Sequence, residues 1–259
     1  MNRTRLLVAA ALCVSLTACA GSGGPPKPTK RQVALIDRAL ATAPGAAQPS
    51  TIVAAEIAFA RDARELGQWT AFGIYAAPGA RLHGSKGPFA IAPWLATLSN
   101  PPEAVQWKAR TVVMSCDGAV AVSQGRLREP AGTVGNFVTV WERQPDGRYL
   151  YVFDVGGADV PQPPPPPKVE AQPGDIVVTE IDAIQGLVAS CPRPGTPVPP
   201  PPPISLGEDG KTEAHLSRDT TLRWRWEHRA DGTRYILAEY FYQGRWLTGI
   251  EQSLVPTGN

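Results

Sequence analysis

Histidine, cysteine, long apolar runs and an excess of either charge are all scarce in this chain, and each scarcity removes a class of function. There are 3 histidines and 4 cysteines among 259 residues. His83, His215 and His228 lie far apart, with no Cys-x-x-Cys or His-Glu-x-x-His spacing, so no zinc site is expected. A Gly-x-Ser-x-Gly nucleophile elbow is absent, as is a Gly-x-Gly-x-x-Gly turn, which argues against an α/β hydrolase and a dinucleotide enzyme. Gly79-x-x-x-x-Gly84-Ser85-Lys86 mimics a phosphate loop but carries Ser and Lys in the wrong order. No metal and no cofactor is therefore implied. The 25 basic side chains nearly balance the 23 acidic ones, so the clustered positive charge that nucleic acid requires is missing. The first apolar segment, Leu6 to Leu16, is far shorter than the roughly 20 residues that span a bilayer.

What that short segment does supply is an address. Arg3 and Arg5 precede it, and it ends in Leu16-Thr17-Ala18-Cys19. The pattern resembles the lipobox of bacterial lipoproteins. The resemblance implies that residues 1–18 are removed, that Cys19 is lipidated, and that several acyl chains hold the protein on a membrane. Ala20 follows where inner-membrane lipoproteins carry Asp, which points to the periplasmic face of the outer membrane. Loss of the leader leaves 241 residues with 23 basic and 23 acidic side chains. It also removes Cys13. With Cys19 acylated, Cys116 and Cys191 remain as a pair in an oxidising compartment; they are expected to form one disulfide, the alternative being two independent buried thiols.

Pattern divides the rest. Residues 19–31, rich in Gly, Pro and Ser, form a flexible tether. A domain over 32–160 begins with a short helix, Gln32 to Ala41. A longer helix from the N-cap Ser50 follows, with Ile52, Val53, Phe59, Ala60, Ala63 and Leu66 near one face and Glu56, Arg61, Asp62 and Glu65 elsewhere. Trp69 to Ala76 makes a third helical piece. Alternation then predicts four strands near 104–115, 119–130, 134–143 and 148–156, joined by turns that include Asp117-Gly118 and Asp146-Gly147. Helices followed by an antiparallel meander define an α+β fold with the helices on one sheet face. A linker over 161–204 holds two five-proline runs, Pro163–Pro167 and Pro199–Pro203, read as stiff spacers. Between them lie a strand-like run, Asp175 to Asp182, and a helical turn leading to Cys191. A β-rich annex covers 205–259. There Leu222, Trp224, Trp226 and His228 alternate with Arg223, Arg225, Glu227 and Arg229, giving one packed face and one solvated face. So small a set of hairpins must dock on the main sheet.

Three segments carry a family likeness: Ile52–Ala60, Gly67–Phe72, and Phe137–Tyr149 with its Trp141-Glu142-Arg143 and Asp146-Gly147-Arg148-Tyr149. Together they resemble the SnoaL-like domains of the nuclear-transport-factor-2-like superfamily, over about residues 50–157. The resemblance implies a cone-shaped, cystatin-like fold with a pocket between the helices and a concave sheet. Members include isomerases, cyclases and dehydratases, and also pockets with no known reaction, so fold alone does not set function. Asp154, the one acid in the last strand of the meander, is the candidate acid–base group, and His83, the only histidine of the pocket region, is a second candidate. Alternation places Asp154 opposite Tyr149, Tyr151 and Phe153. Trp69, Phe72, Trp94, Trp107 and Trp141 are candidate pocket walls for a small apolar or planar ligand, or else core. The expected function is a small-ligand-binding or scaffold module on a lipid anchor; the alternative is an isomerase, cyclase or dehydratase working in the pocket.

Overall fold

The computed structural model describes residues 29–31, 47–164, 183–192, 195–204 and 211–256. The chain divides into two units, Met1–Leu40 and Ala41–Asn259, and all the elements below belong to the second. Cys13, Cys19, the Gln32–Ala41 helix, the Asp175–Asp182 strand and Pro165–Pro167 lie outside the described residues.

Helix α1 (Pro49–Glu65) opens with Pro49 in its first turn, where the missing N–H has no helical partner anyway. Gln48 is its N-cap, so Ser50 lies inside the helix. After it, Gly67 takes a φ of 102°, and a Cβ there would fall 2.3 Å from the Asn100 amide. That space is needed because Asn100 Oδ1 accepts from the N–H groups of Trp69 (2.8 Å) and Thr70 (3.2 Å), the orphan donors that open helix α2 (Gln68–Tyr75). A third helix, α3 (Ile91–Leu95), is a single short turn.

Among the described residues the strands form two sheets. The first has seven: β1 (Ala76–Gly84), β2 (Gly87–Ala90), β3 (Gln106–Met114), β4 (Val120–Arg128), β5 (Val134–Arg143), β6 (Tyr149–Ala158) and β7 (Gln185–Val188). Their order is β2-β1-β6-β5-β4-β3-β7. The antiparallel meander β3 to β6 matches the four expected strands. Additional strands extend it at both edges: β1 pairs parallel to β6, and β7 pairs parallel to β3. Neither was expected. Pro78-Gly79 looks like a stop, yet it sits within β1; a strand also replaces the helical turn expected before Cys191. The phosphate-loop mimic is simply β1 and its tight turn into β2.

The second sheet, β8 (Lys211–Leu216), β9 (Leu222–His228), β10 (Arg234–Tyr242) and β11 (Arg245–Leu254), is an antiparallel meander. It covers one face of the first sheet, with Leu222, Trp224, Trp226, Ile236, Ala238 and Tyr240 packed on Val113, Val122, Val138, Val140, Phe153 and Val155. The other face lies under α1, where Ile52, Phe59 and Ala63 meet Val112, Met114, Trp141 and Tyr151. Helices, sheet and sheet thus make three layers. The Arg row of β9 is not the solvated face expected of it. Arg223 is buried and bonded to Glu239 (Nε to Oε2, 2.8 Å), and Arg225 pairs with Glu227 at 13% and 14% side-chain exposure; Arg229 alone reaches well into solvent.

Candidate functional site

Between α1, α2 and the helix-covered face of the first sheet is a cavity of about 260 Å³. That is a little below the roughly 300–1,000 Å³ usual for small-molecule sites, so it suits a small ligand. Phe59, Trp69, Phe72, Leu82, Trp94, Trp107, Leu127 and Phe137 give it apolar walls; Gln68, Glu129, Thr139 and Asp154 give it polar ones. Four of the five aromatic candidates therefore meet here. The fifth, Trp141, is fully buried beneath the wall as core, because it faces α1 from mid-sheet. The rings support one another: Trp69 lies edge-on to Trp94 at 5.0 Å and to Phe72 at 5.5 Å, and Phe59 edge-on to Trp107 at 4.9 Å.

Asp154 reaches this cavity through an irregularity in β6. Thr139 pairs with Asp154 and Val140 with Phe153, but Trp141 pairs with Tyr151, so Val152 is an extra residue in the ladder. The bulge reverses the alternation. Phe153 and Val152 both turn toward the second sheet, while Asp154 and Tyr151 share the helix-covered face. The expectation that Tyr151 lies opposite Asp154 is thereby corrected: strict period-2 counting fails across an inserted residue. Thr139 Oγ1 donates to Asp154 Oδ2 at 2.6 Å. Burial pushes the Asp154 carboxyl up to about 6, against the weaker opposing pull of the Thr139 hydrogen bond.

A second carboxyl lies behind the wall. Glu56, which seemed to fall off the apolar face of α1, is buried at 3% exposure. Its spacing does place it inside, four residues after Ile52 and three before Phe59, and the polar side chain hid that signal. Glu56 Oε2 accepts from the Trp107 indole at 3.0 Å; Oε1 accepts from Ser123 Oγ at 2.5 Å and from the Trp141 indole at 3.3 Å. Burial raises its pKa to about 7, partly offset by these donors, and the nearby Asp154 charge raises it further. Gln68, also missed, holds the loop before β3 by accepting from the Val105 N–H at 2.9 Å.

His83 is not part of the cavity. Its neighbour Leu82 pairs with Asp154 and lines the wall, so alternation sends His83 to the opposite face, against the second sheet. There its Nε2 meets His228 Nδ1 at 3.1 Å, and its ring abuts Trp226 and Phe153. Burial, aided by the charges of His228, Arg234 and Arg81, holds its pKa down to about 3. It is a neutral packing residue. Tyr75 likewise points elsewhere, its hydroxyl donating to Asp62 Oδ2 at 2.9 Å. Cys116 and Cys191 are joined in a disulfide, Cα to Cα 5.1 Å, which ties the β3–β4 turn to the segment after β7.

The chain matches no protein-family model, no curated protein and no solved structure. Among the described residues no helix is long and apolar enough to cross a membrane, and no group of side chains is arranged to hold a metal.

Proposed function

We infer that the protein is a lipid-anchored binding module of the bacterial envelope, whose cavity takes a small, planar, mostly apolar molecule bearing one polar group. The observation that carries this reading is Asp154: a buried carboxyl set among aromatic walls, with one oxygen held by Thr139 and a pKa that burial raises to about 6. Such a group can accept a hydrogen bond when ionised or donate one when protonated. The SnoaL-like resemblance is supported by the order of elements, helices first and meander after, with the cavity between them. The lipobox supports anchoring at Cys19.

2-Naphthol, flat and carrying a single hydroxyl, is a suitable probe. Its addition should shift the indole N–H resonances of Trp69, Trp94 and Trp107 and leave those of Trp224 and Trp246 in place. Filling the cavity by Leu82→Trp should suppress the shifts. Uniform small shifts at all seven indoles, or none, would refute the assignment.

A second reading, proton transfer next to a carbonyl as in an isomerase, cyclase or dehydratase, is favoured by one further fact: Asp154 has a second buried acid, Glu56, close enough to influence ionisation. A general base works best with a pKa near ambient pH. In D2O the protein should then speed α-hydrogen exchange of 2-tetralone, and Asp154→Asn should lower the rate at least about 100-fold, within the range general base catalysis supplies. Equal rates with and without protein would leave binding as the function.

A further inference from the structure

The second proline run does more than space two domains. A proline run has no N–H donors, so its carbonyls are its only backbone hydrogen-bonding groups, and in the polyproline II helix every third residue faces the same way. Two carbonyls three residues apart are bound here: Pro199 O accepts from the Trp246 indole N–H at 2.9 Å, and Pro202 O from Arg223 Nη1 at 2.6 Å. Burial repeats with the same period. Val198, Pro201 and Ile204 are half-buried, whereas Pro199, Pro200, Pro202 and Pro203 are exposed.

The receiving surface is the outer face of the second sheet. Trp246 on β11 pairs with Phe241 on β10, and Arg223 on β9 pairs with Glu239 on β10, so these four side chains share one face. From β11 to β9 is two strand spacings, about 9.6 Å. From Pro199 to Pro202 along a polyproline helix is about 9.3 Å. The β10 partners of Trp246 and Arg223 also lie two residues apart, about 6.8 Å, so the run crosses the strands obliquely and these two long side chains bring one donor to each end. Glu239 holds the Arg223 guanidinium on the far side, leaving Nη1 for the carbonyl. An aromatic donor beside a fixed polar donor, at the repeat of the ligand, is the chemistry by which proline-rich segments are read.

The geometry points to a polyproline-reading surface on β9 to β11 that the chain's own Pro199–Pro203 segment occupies in cis, and whose partner class is a proline-rich polypeptide in the polyproline II conformation. The same pattern, Pro-x followed by five prolines, occurs at Pro161–Pro167 and again at Pro197–Pro203. A cis ligand on a short connection competes at millimolar effective concentration, so a peptide in trans gains access chiefly when the segment is removed.

The test uses the full chain with Pro199–Pro203 replaced by Gly and Ser, labelled with nitrogen-15. The Trp246 indole resonance should move on replacement and return toward its original position when a peptide of residues 197–204 is added. A peptide of residues 161–167 should act alike, and a Gly-Ser peptide should not. Trp246→Phe in the replaced chain, which keeps the ring and loses the donor, should weaken peptide binding about fivefold or more, the loss expected for one hydrogen bond. In the otherwise unaltered chain, Trp246→Phe should also raise fast backbone motion at the Val198 and Ile204 amides. An unmoved indole resonance, no response to peptide at 10-fold excess over about 1 mM protein, or binding indifferent to Trp246→Phe would each overturn the proposal.

Discussion

Two carboxyls define the chemistry at the scale of single residues, and they were unequally visible. Asp154 stands out in sequence as the lone acid of its strand; Glu56 is hidden in plain sight at helical spacing, because a charged residue is expected to face water. Both have raised pKa values, so the folded state keeps protons that the unfolded state has released. Their contribution to stability is therefore greatest below about pH 4 and is lost as pH climbs to about 7. His83, with its depressed pKa, acts in the opposite sense between about pH 3 and 6.5. Comparing Glu56→Gln with the parent chain cancels the histidine. Urea unfolding at pH 4.5 and pH 8 should show the variant losing less stability across that range, by on the order of 3 kcal/mol. Parallel losses in the two proteins would mean that Glu56 does not carry its proton into the neutral range.

At the scale of elements, most of the meander was legible, since alternation and Asp-Gly turns are local signals. What escaped is non-local. Strand β1 forms because β6 offers it a parallel edge, and its Pro78-Gly79 and its lack of β-branched residues say nothing of that. The Val152 bulge, which aims Asp154 at the cavity, leaves no mark in an alternating pattern. The packing of the two sheets depends on a similar detail. Gly249 sits on β11 against β3, and a Cβ there would lie 2.6 Å from Val113 Cγ2 and 3.2 Å from Tyr240. Gly249→Val should therefore destabilise by about 1–3 kcal/mol through overpacking, read as a lower urea midpoint with unchanged slope. A neutral result would show that the sheets part easily at this point. Arg223 teaches the same lesson from the other side: its alternation with Trp224 is plain, but a proline segment from elsewhere in the chain covers the face that looked solvated.

On the scale of the whole molecule, three layers pack together, and a disulfide fastens the β7 edge of the first sheet to its β3–β4 turn. The Cys116–Cys191 disulfide closes a span of 75 residues, for which loop entropy gives about 4 kcal/mol of stabilisation. Unfolded, unreduced protein should show neither of these thiols to a labelling reagent, whereas reduction should expose both and lower the unfolding midpoint; labelling before reduction would deny the link. The pairing was legible from compartment and parity, on the expectation that Cys13 leaves with a leader and Cys19 is lipidated. The cavity was not legible as a volume, only as a set of aromatic residues, since four belong to its walls and Trp141 to the core beneath.

The central claim is that this aromatic cavity binds through Asp154, and a ratio of two affinities tests it. Naphthalene and 2-naphthol share a ring system and differ by one hydroxyl. Titrated at pH 7.5, 2-naphthol should bind at least about fivefold more tightly than naphthalene, the worth of one hydrogen bond, and Asp154→Leu should bring the two together. Equal affinities in the parent chain, or no binding of either, would contradict the account.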